Sequence, residues 1–457
     1  MTRPEPPFRP GTAILSLGDA FYDAVEPARF PVHKLRFRND RAASEVGLEG
    51  LSDAEWIAHF GTFQPLPGSL EQPLALRYHG HQFRTYNPEL GDGRGFLFAQ
   101  MEDQAGRLMD LGTKGSGRTP WSRAGDGRLT LKGGIREILA TEMLEALGVT
   151  TSRTLSIIET GEALERGDEP SPTRSAVMVR LSHSHIRYGT FQRLAALEQP
   201  ENIRRLVDYV LANIARRDGG DDPVAVLMDY AVEGAAQLAG EWHVAGFVHG
   251  VLNTDNMNIS GESFDYGPWR FLPVWDAGFT AAYFDHFGLY AFGRQAEALQ
   301  WNLFQLAQAL RTIAPAESLI PALKRWPELV AQFTRRQALW RLGLASVDAA
   351  SDEALLRAFE AGLEASGVQP DAAWFVFRGG RVPQAVHPAF AAFAEQLAHF
   401  KPVQGALAHP YWADAGPCTM LVDEVEALWA AVAEREDWAP LEAKIAAARR
   451  MGAAHAA

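Results

Sequence analysis

Gly246-Phe247-Val248-His249-Gly250-Val251-Leu252-Asn253-Thr254-Asp255-Asn256-Met257, followed shortly by Asp265-Tyr266-Gly267, is the stretch on which the reading of this chain turns. It is too polar and too glycine-marked for a core strand, and it interrupts a long helical region. Asp255, Asn256 and Asp265 place two carboxylates and an amide oxygen close together in sequence. A hard divalent cation takes oxygen ligands and keeps several waters, so one carboxylate and one amide oxygen complete the protein's share of such a site. Asn, Thr and Asp also cluster in ordinary polar turns. The spacing of the whole set, together with His249, favours chemistry over a turn.

The bulk numbers set the frame. The chain has 457 residues, 43 Lys+Arg against 56 Asp+Glu, and a formal charge of −13. That balance argues against broad nucleic-acid or anionic-membrane binding, which needs a basic surface. Hydrophobic residues make up 47% of the sequence, enough for a sizeable core. One cysteine, Cys418, excludes an intramolecular disulfide and a cysteine-based zinc cluster. MTRPEPPFRPG at the start has no apolar signal core. No run approaches the ~20 apolar residues of a bilayer span. A soluble cytoplasmic enzyme is expected.

Outward from the loop, the pattern predicts an α+β fold. Residues 1–70 read as an irregular wrap with short helices. Gly95–Met101 and Arg107–Leu111 read as two strands joined by a tight turn. Ile135–Leu147 carries a 3.6-residue apolar stripe, and Arg153–Glu159 and Ser175–Leu181 read as two further strands. Beyond Phe191 the chain reads as helical over 201–216, 223–245, 296–313, 319–342, 351–366, 388–400 and 422–450, with the alanine-rich end from Ala446 expected to fray. The division is a sheet-rich N-terminal lobe, 1–190, and a helical C-terminal lobe, 191–457.

The order of motifs is that of a protein kinase. Kinases place an Asn seven residues after the catalytic-loop His, and then an Asp-Phe-Gly whose Asp holds metal. Asn256 is seven residues after His249, and Asp265-Tyr266-Gly267 follows nine residues on. The kinase base stands two residues past the His, where this chain has Val251, and the only nearby carboxylate is Asp255, next to Asn256. Gly91-Asp92-Gly93-Arg94-Gly95 precedes a strand, as a phosphate-covering glycine loop would. Lys114 ends the next strand, and Glu137 on the following helix is its candidate partner, although Glu142 and Glu145 share that helix. The loop between them holds Arg118, Arg123 and Arg128 and repeats Gly-Asp-Gly-Arg at 125–128, which suggests a further phosphate clamp. Arg180 and Arg187 align on one face of a helix but fall on opposite faces of a strand, so spacing leaves their convergence open. His183 and His185 have no third ligand at suitable spacing and read as surface or structural histidines.

With these residues assembled, the chain resembles the selenoprotein O (SelO/YdiU) family of kinase-like protein adenylyltransferases over roughly residues 10–310. The carrying blocks are Tyr78-His79-Gly80-His81-Gln82-Phe83, Tyr86-Asn87-Pro88-Glu89-Leu90-Gly91-Asp92-Gly93-Arg94, Lys114-Gly115-Ser116-Gly117-Arg118-Thr119-Pro120, Gly125-Asp126-Gly127-Arg128, Ile135-Arg136-Glu137, Ser184-His185-Ile186-Arg187 and His249 to Met257. The resemblance implies a two-lobe kinase-like fold that holds ATP flipped, so that AMP passes to Ser, Thr or Tyr of a protein and pyrophosphate leaves. It implies Asp255 as proton acceptor, and Asn256 and Asp265 as ligands of Mg2+, with Mn2+ as the alternative ion. Gly91, Gly93, Arg94, Lys114, Asp126, Gly127, Arg180, Arg187 and Asp265 would hold the nucleotide, with Glu137 orienting Lys114. The implied partners are ATP and protein substrates, with no nucleic acid and no membrane. A phosphotransferase, a UMP transferase and a nucleotide-sensing pseudokinase are the alternatives.

Overall fold

The computed structural model describes residues 8–167 and 169–457; the start of the N-terminal wrap, residues 1–7, lies outside the described residues, as does most of the stretch read for a signal core. The architecture is mixed α+β. A nine-stranded sheet runs in the order Tyr22–Ala24, Leu74–Leu76, Leu97–Glu102, Leu108–Lys114, Thr173–Ser182, Arg153–Leu164, Lys34–Arg38. Arg9–Gly11 pairs with Leu97–Glu102, and Leu129–Thr130 with Thr173–Ser182. Every pairing is antiparallel, and the N-terminal wrap, expected to be irregular, contributes three of these strands.

Alternation along Thr173–Ser182 explains the layers, because successive side chains leave a strand on opposite faces. Val177, Val179 and Leu181 pack on one face with Trp56, Phe60 and Phe98. Trp56 is fully buried there and its indole N–H donates to Ser156 Oγ at 2.9 Å, so its polar edge is satisfied as well as its rings. Met178 lies on the other face with Ile135, Ile138 and Leu139 of the helix Leu131–Ala146. Thr130 caps that helix by accepting from Gly133 N at 3.0 Å, so it begins four residues before the predicted stripe.

The helical remainder differs from expectation at its joints. The segment 201–216 is an α-helix, Pro200–Tyr209, continuing into a π-turn, Val210–Ala215. The segment 319–342 breaks before Pro327 into Ile320–Lys324 and Trp326–Leu342. The segment 388–400 is a short 3-10 turn, Pro388–Phe390, followed by Ala391–Leu397. The segment 422–450 divides at Glu436, whose φ of 52° ends Val422–Arg435. The alanine-rich end does not fray. Ala439–Ala456 stays helical because Met451, Ala454 and His455 are buried, and His455 stacks on Trp340 at 4.8 Å. Cys418 is buried too, and burial pushes its thiol up to about 11. No helix among the described residues is long and apolar enough to cross a membrane.

The site is positioned by the long helix Pro223–Ala245. Asp222 caps its start, and Gly246 ends it with a φ of 64°, a left-handed conformation that suits glycine. The chain then enters Phe247–Val248, which pairs antiparallel with Arg270–Phe271. The segment from His249 to Trp269 is therefore a loop closed at its base by this short ribbon.

Candidate active site

That loop is fastened from below. His249 donates its backbone N–H to Gln295 Oε1 at 3.0 Å, and its Nε2 lies 2.9 Å from Phe264 O. Asn302 Nδ2 donates to Leu252 O at 2.9 Å. It is also fastened from the side by the ribbon Gly80–Gln82 and Thr85–Asn87. His81 N donates to Thr254 Oγ1 at 2.7 Å, and Phe83 N donates to Asn253 Oδ1 at 3.1 Å. The Tyr78–Phe83 block thus holds the loop through its backbone, a role that its side chains do not advertise.

Asp255 is buried, and its Oδ1 has no hydrogen-bond partner. Burial raises its carboxyl to about 6 against the opposing pull of Arg187. Asn256 Nδ2 donates to Val251 O at 3.1 Å, which fixes the amide and leaves its oxygen for another ligand. Asp265 holds a φ of 61°, unusual for a residue with a side chain and a strain of the kind that gathers at functional sites. Tyr266 anchors the turn by a hydroxyl contact with Thr151.

Arg180 and Arg187 do converge. The first leaves the strand Thr173–Ser182 and the second caps the helix Tyr188–Ala196. Arg180 Nη1 donates to Asp265 Oδ1 at 2.5 Å, and Arg187 Nη1 donates to Asp265 Oδ2 at 2.9 Å. Lys114 Nζ lies 3.7 Å from Asp265 Oδ1 and is in direct contact with Glu137. Burial alone would raise the Asp265 carboxyl, but Arg180, Arg187 and Lys114 together hold it well below the usual range. Arg187 also donates to Asp255 O at 2.7 Å and stacks over Tyr78 at 4.5 Å. The ambiguity among the helix glutamates is resolved: Glu142 pairs with Arg449, and Glu145 pairs with Arg41.

These groups line one cavity of about 1130 Å³. Gly91, Gly93, Arg94, Lys114, Asp126, Gly127, Arg180, Arg187, Asp255, Asn256 and Asp265 all face it, whereas Glu137 contacts Lys114 and lines the adjoining cavity. Of the three loop arginines, Arg123 and Arg128 reach the cavity, and Arg118 points to solvent. Asp126 is held by Arg166 at 2.7 Å, and Arg128 by Glu162 at 2.7 Å.

The glycine loop has a packing purpose beside any phosphate. A Cβ on Gly91 would meet Trp121 Cγ at 2.4 Å, and one on Gly95 would meet Thr113 O at 2.0 Å. Thr119 and Ser122 hydroxyls donate to Asp92 O and Gly93 O. The loop 115–127 therefore lies clamped on the loop 91–95.

Sequence reasoning missed two participants. Asp92 is buried, accepts from Leu76 N at 3.0 Å and pairs with Arg187 at 3.4 Å. His185, expected at the surface or in a structural place, is buried under the site. Its Nε2 accepts from Arg180 Nε at 3.2 Å, and its Nδ1 faces Asp110 Oδ2 at 3.3 Å. Gly112 makes room for the ring, since a Cβ there would fall 2.1 Å from His185 Nε2. A lone Gly inside a predicted strand was the available signal.

Comparison with known proteins places the chain in a family. A sequence model described as "Protein adenylyltransferase SelO" matches residues 8–378, well past the 10–310 carried by the motifs. A protein nucleotidyltransferase YdiU of Synechocystis is 50% identical over 340 residues, covering 73% of this chain and 70% of that protein. The YdiU nucleotidyltransferases of Synechococcus elongatus and Gloeobacter violaceus are 44% and 43% identical, covering 96% and 94% of this chain and 94% and 92% of their own lengths. An α+β chain with these relatives is an enzyme, a transferase of the nucleotidyltransferase class. The chain belongs to the SelO family of protein adenylyltransferases.

Proposed function

We propose that the protein transfers AMP from ATP to Ser, Thr or Tyr hydroxyls of proteins and releases pyrophosphate. Residues 1–190 and 191–457 act as two kinase-like lobes around the nucleotide, which sits flipped with its α-phosphate toward the acceptor. One observation carries the reading: Asp255, buried with Oδ1 unpartnered, opens into the same cavity as the Arg180, Arg187 and Lys114 cluster. Ionised, it takes the proton of the acceptor hydroxyl as that oxygen attacks the α-phosphorus. Lys114, steadied by Glu137, and Arg94, Arg180 and Arg187 offset the charge that grows on the leaving pyrophosphate. The backbone at Gly91, Gly93 and Gly127 and the Asp126 side chain complete the nucleotide's seat.

The residues fit a divalent ion. Among the described residues no three His, Cys, Asp or Glu side chains form a closed cage. A nucleotide-bound Mg2+ does not call for one, because phosphates and water supply most of its oxygens. Asp265 would hold it through a carboxylate kept ionised, once Arg180 and Arg187 turned from its oxygens to the phosphates, and Asn256 through the amide oxygen left free by Val251. When bound, the ion draws charge from the phosphates. The chain's own groups bind, orient and take the proton.

Incubation with α-labelled and with γ-labelled ATP tests the proposal. Label retained on protein from the α position alone is expected. Retention from the γ position alone would establish phosphoryl transfer instead.

A further inference from the structure

A second cavity of about 470 Å³ adjoins the first and shares Arg94, Lys114, Arg128 and Arg166 with it, while Glu137, Glu169 and Glu426 are the carboxylates on its wall. Its own cations are Lys132, Arg136 and Arg270. Their only carboxylate partner among the described residues is Glu426, which lies 2.7 Å from Lys132 and 3.9 Å from Arg136. Arg136, whose side chain is 13% exposed, donates to the Gly267 and Trp269 carbonyls at 3.3 and 3.1 Å. Arg270 donates to the carbonyls of Pro268 and Trp269, each at 2.9 Å. Two guanidiniums are therefore held near each other by neutral carbonyls. Burial and the charge of Arg270 push Arg136 down to about 10, against the opposing pull of Glu426 and Glu137. Keeping several cations together at partial burial is costly, and a multivalent anion removes that cost.

We propose that Lys132, Arg136 and Arg270 form an anion site that receives inorganic pyrophosphate as it leaves the nucleotide cavity. The assignment rests on the AMP-transfer reading. There the acceptor oxygen bonds to the α-phosphorus while the bond to the bridging β-oxygen breaks. That electron pair departs with pyrophosphate, and the acceptor proton goes to Asp255. The product bears several negative charges and cannot leave through an apolar wall. The cations common to both cavities join the place of bond breaking to a second cationic basin, so the product moves from one set of donors to the next.

Pyrophosphate titrated calorimetrically into the wild type, Lys132→Met, Arg270→Gln and the double variant tests this. Neither residue lines the nucleotide cavity, so ATP affinity should stay within about twofold. Pyrophosphate affinity should fall about tenfold or more in the double variant, the loss expected for two charge-assisted contacts. Arg270→Lys, which keeps the charge, should retain most of the binding and guards against misfolding as the cause. Unchanged pyrophosphate affinity in the double variant would overturn the site. A parallel fall in ATP affinity would also overturn it, by assigning these cations to the nucleotide. So would an acidic peptide that outcompetes pyrophosphate and loses affinity in the same variants, which would mark a protein-docking surface. Binding needs no turnover, so this test can fail while the label experiment succeeds, and the reverse.

Discussion

Gly80 stands directly against Asp255: a Cβ at position 80 would fall 3.0 Å from both Asp255 Cβ and Oδ1. The same ribbon bonds Thr254 and Asn253 through its backbone, so the carboxylate is located by the main chain on one side and by the missing side chain on the other. Gly80→Ala should therefore displace Asp255 by a few tenths of an ångström without touching the nucleotide contacts. A base moved out of line loses much of its advantage, and kcat should fall about tenfold with ATP affinity unchanged. Steady-state transfer beside equilibrium ATP binding reads this, and an unaltered kcat would show that Asp255 need not be held so closely.

Asp255→Asn separates catalysis from stability. Removing a general base costs on the order of 10²–10⁴-fold in rate. Yet the wild-type carboxylate is buried with Oδ1 unpartnered, and burial disfavours its charge. The neutral amide should leave the melting temperature at pH 7 equal or higher while transfer collapses and ATP still binds. A variant that loses activity and stability together would mean that Asp255 supports the fold instead.

The legibility of this site tracks how local its parts are. His249, Asn256 and Asp265 could be read because they share one short loop, where spacing in sequence is nearly spacing in space. Arg180 and Arg187 could not, because a strand ends and a helix begins between them and neither periodicity applies across the join. Glu137 was one of three glutamates on a helix until Arg449 and Arg41 claimed the other two. In the fold, Pro370–Phe377 went unread because Trp374, Phe375 and Phe377 are buried nearly all round and leave no polar stripe. The break at Glu436 was hidden because a non-glycine residue takes the left-handed turn.

His185 should act as a positioning residue for Arg180. Arg180 Nε donates to its Nε2, so the ring proton sits on Nδ1, facing Asp110. Burial lowers the imidazole's affinity for a second proton, which keeps Nε2 an acceptor. His185→Phe should release the guanidinium and weaken ATP binding about tenfold, as Arg180→Lys should. The two changes act on one contact, so the double variant should be little worse than either single one. Full additivity of the two losses in ATP affinity would separate His185 from Arg180, and a purely structural histidine would lower stability without that non-additivity.

Acid stability offers a test of how the last helices are held to the sheet. Glu436 accepts from Arg174 at 2.8 Å and Lys34 at 3.2 Å, and also contacts Arg36. Burial would raise its carboxyl, but Arg174, Arg36 and Lys34 hold it down to about 2. An unfolded glutamate titrates near ~4.3, so the unfolded chain takes the proton first as pH falls. The contribution is therefore complete above that value and is lost as pH falls toward 2. The side chain is 46% exposed, and screening limits its worth to about 1 kcal/mol. Glu436→Gln should lower unfolding stability by about that amount at pH 7. The two proteins should converge as the pH approaches 2. Denaturant melts across the pH range measure the gap, and a gap that persists undiminished in acid would place the effect of Glu436 in its left-handed backbone instead of its charge.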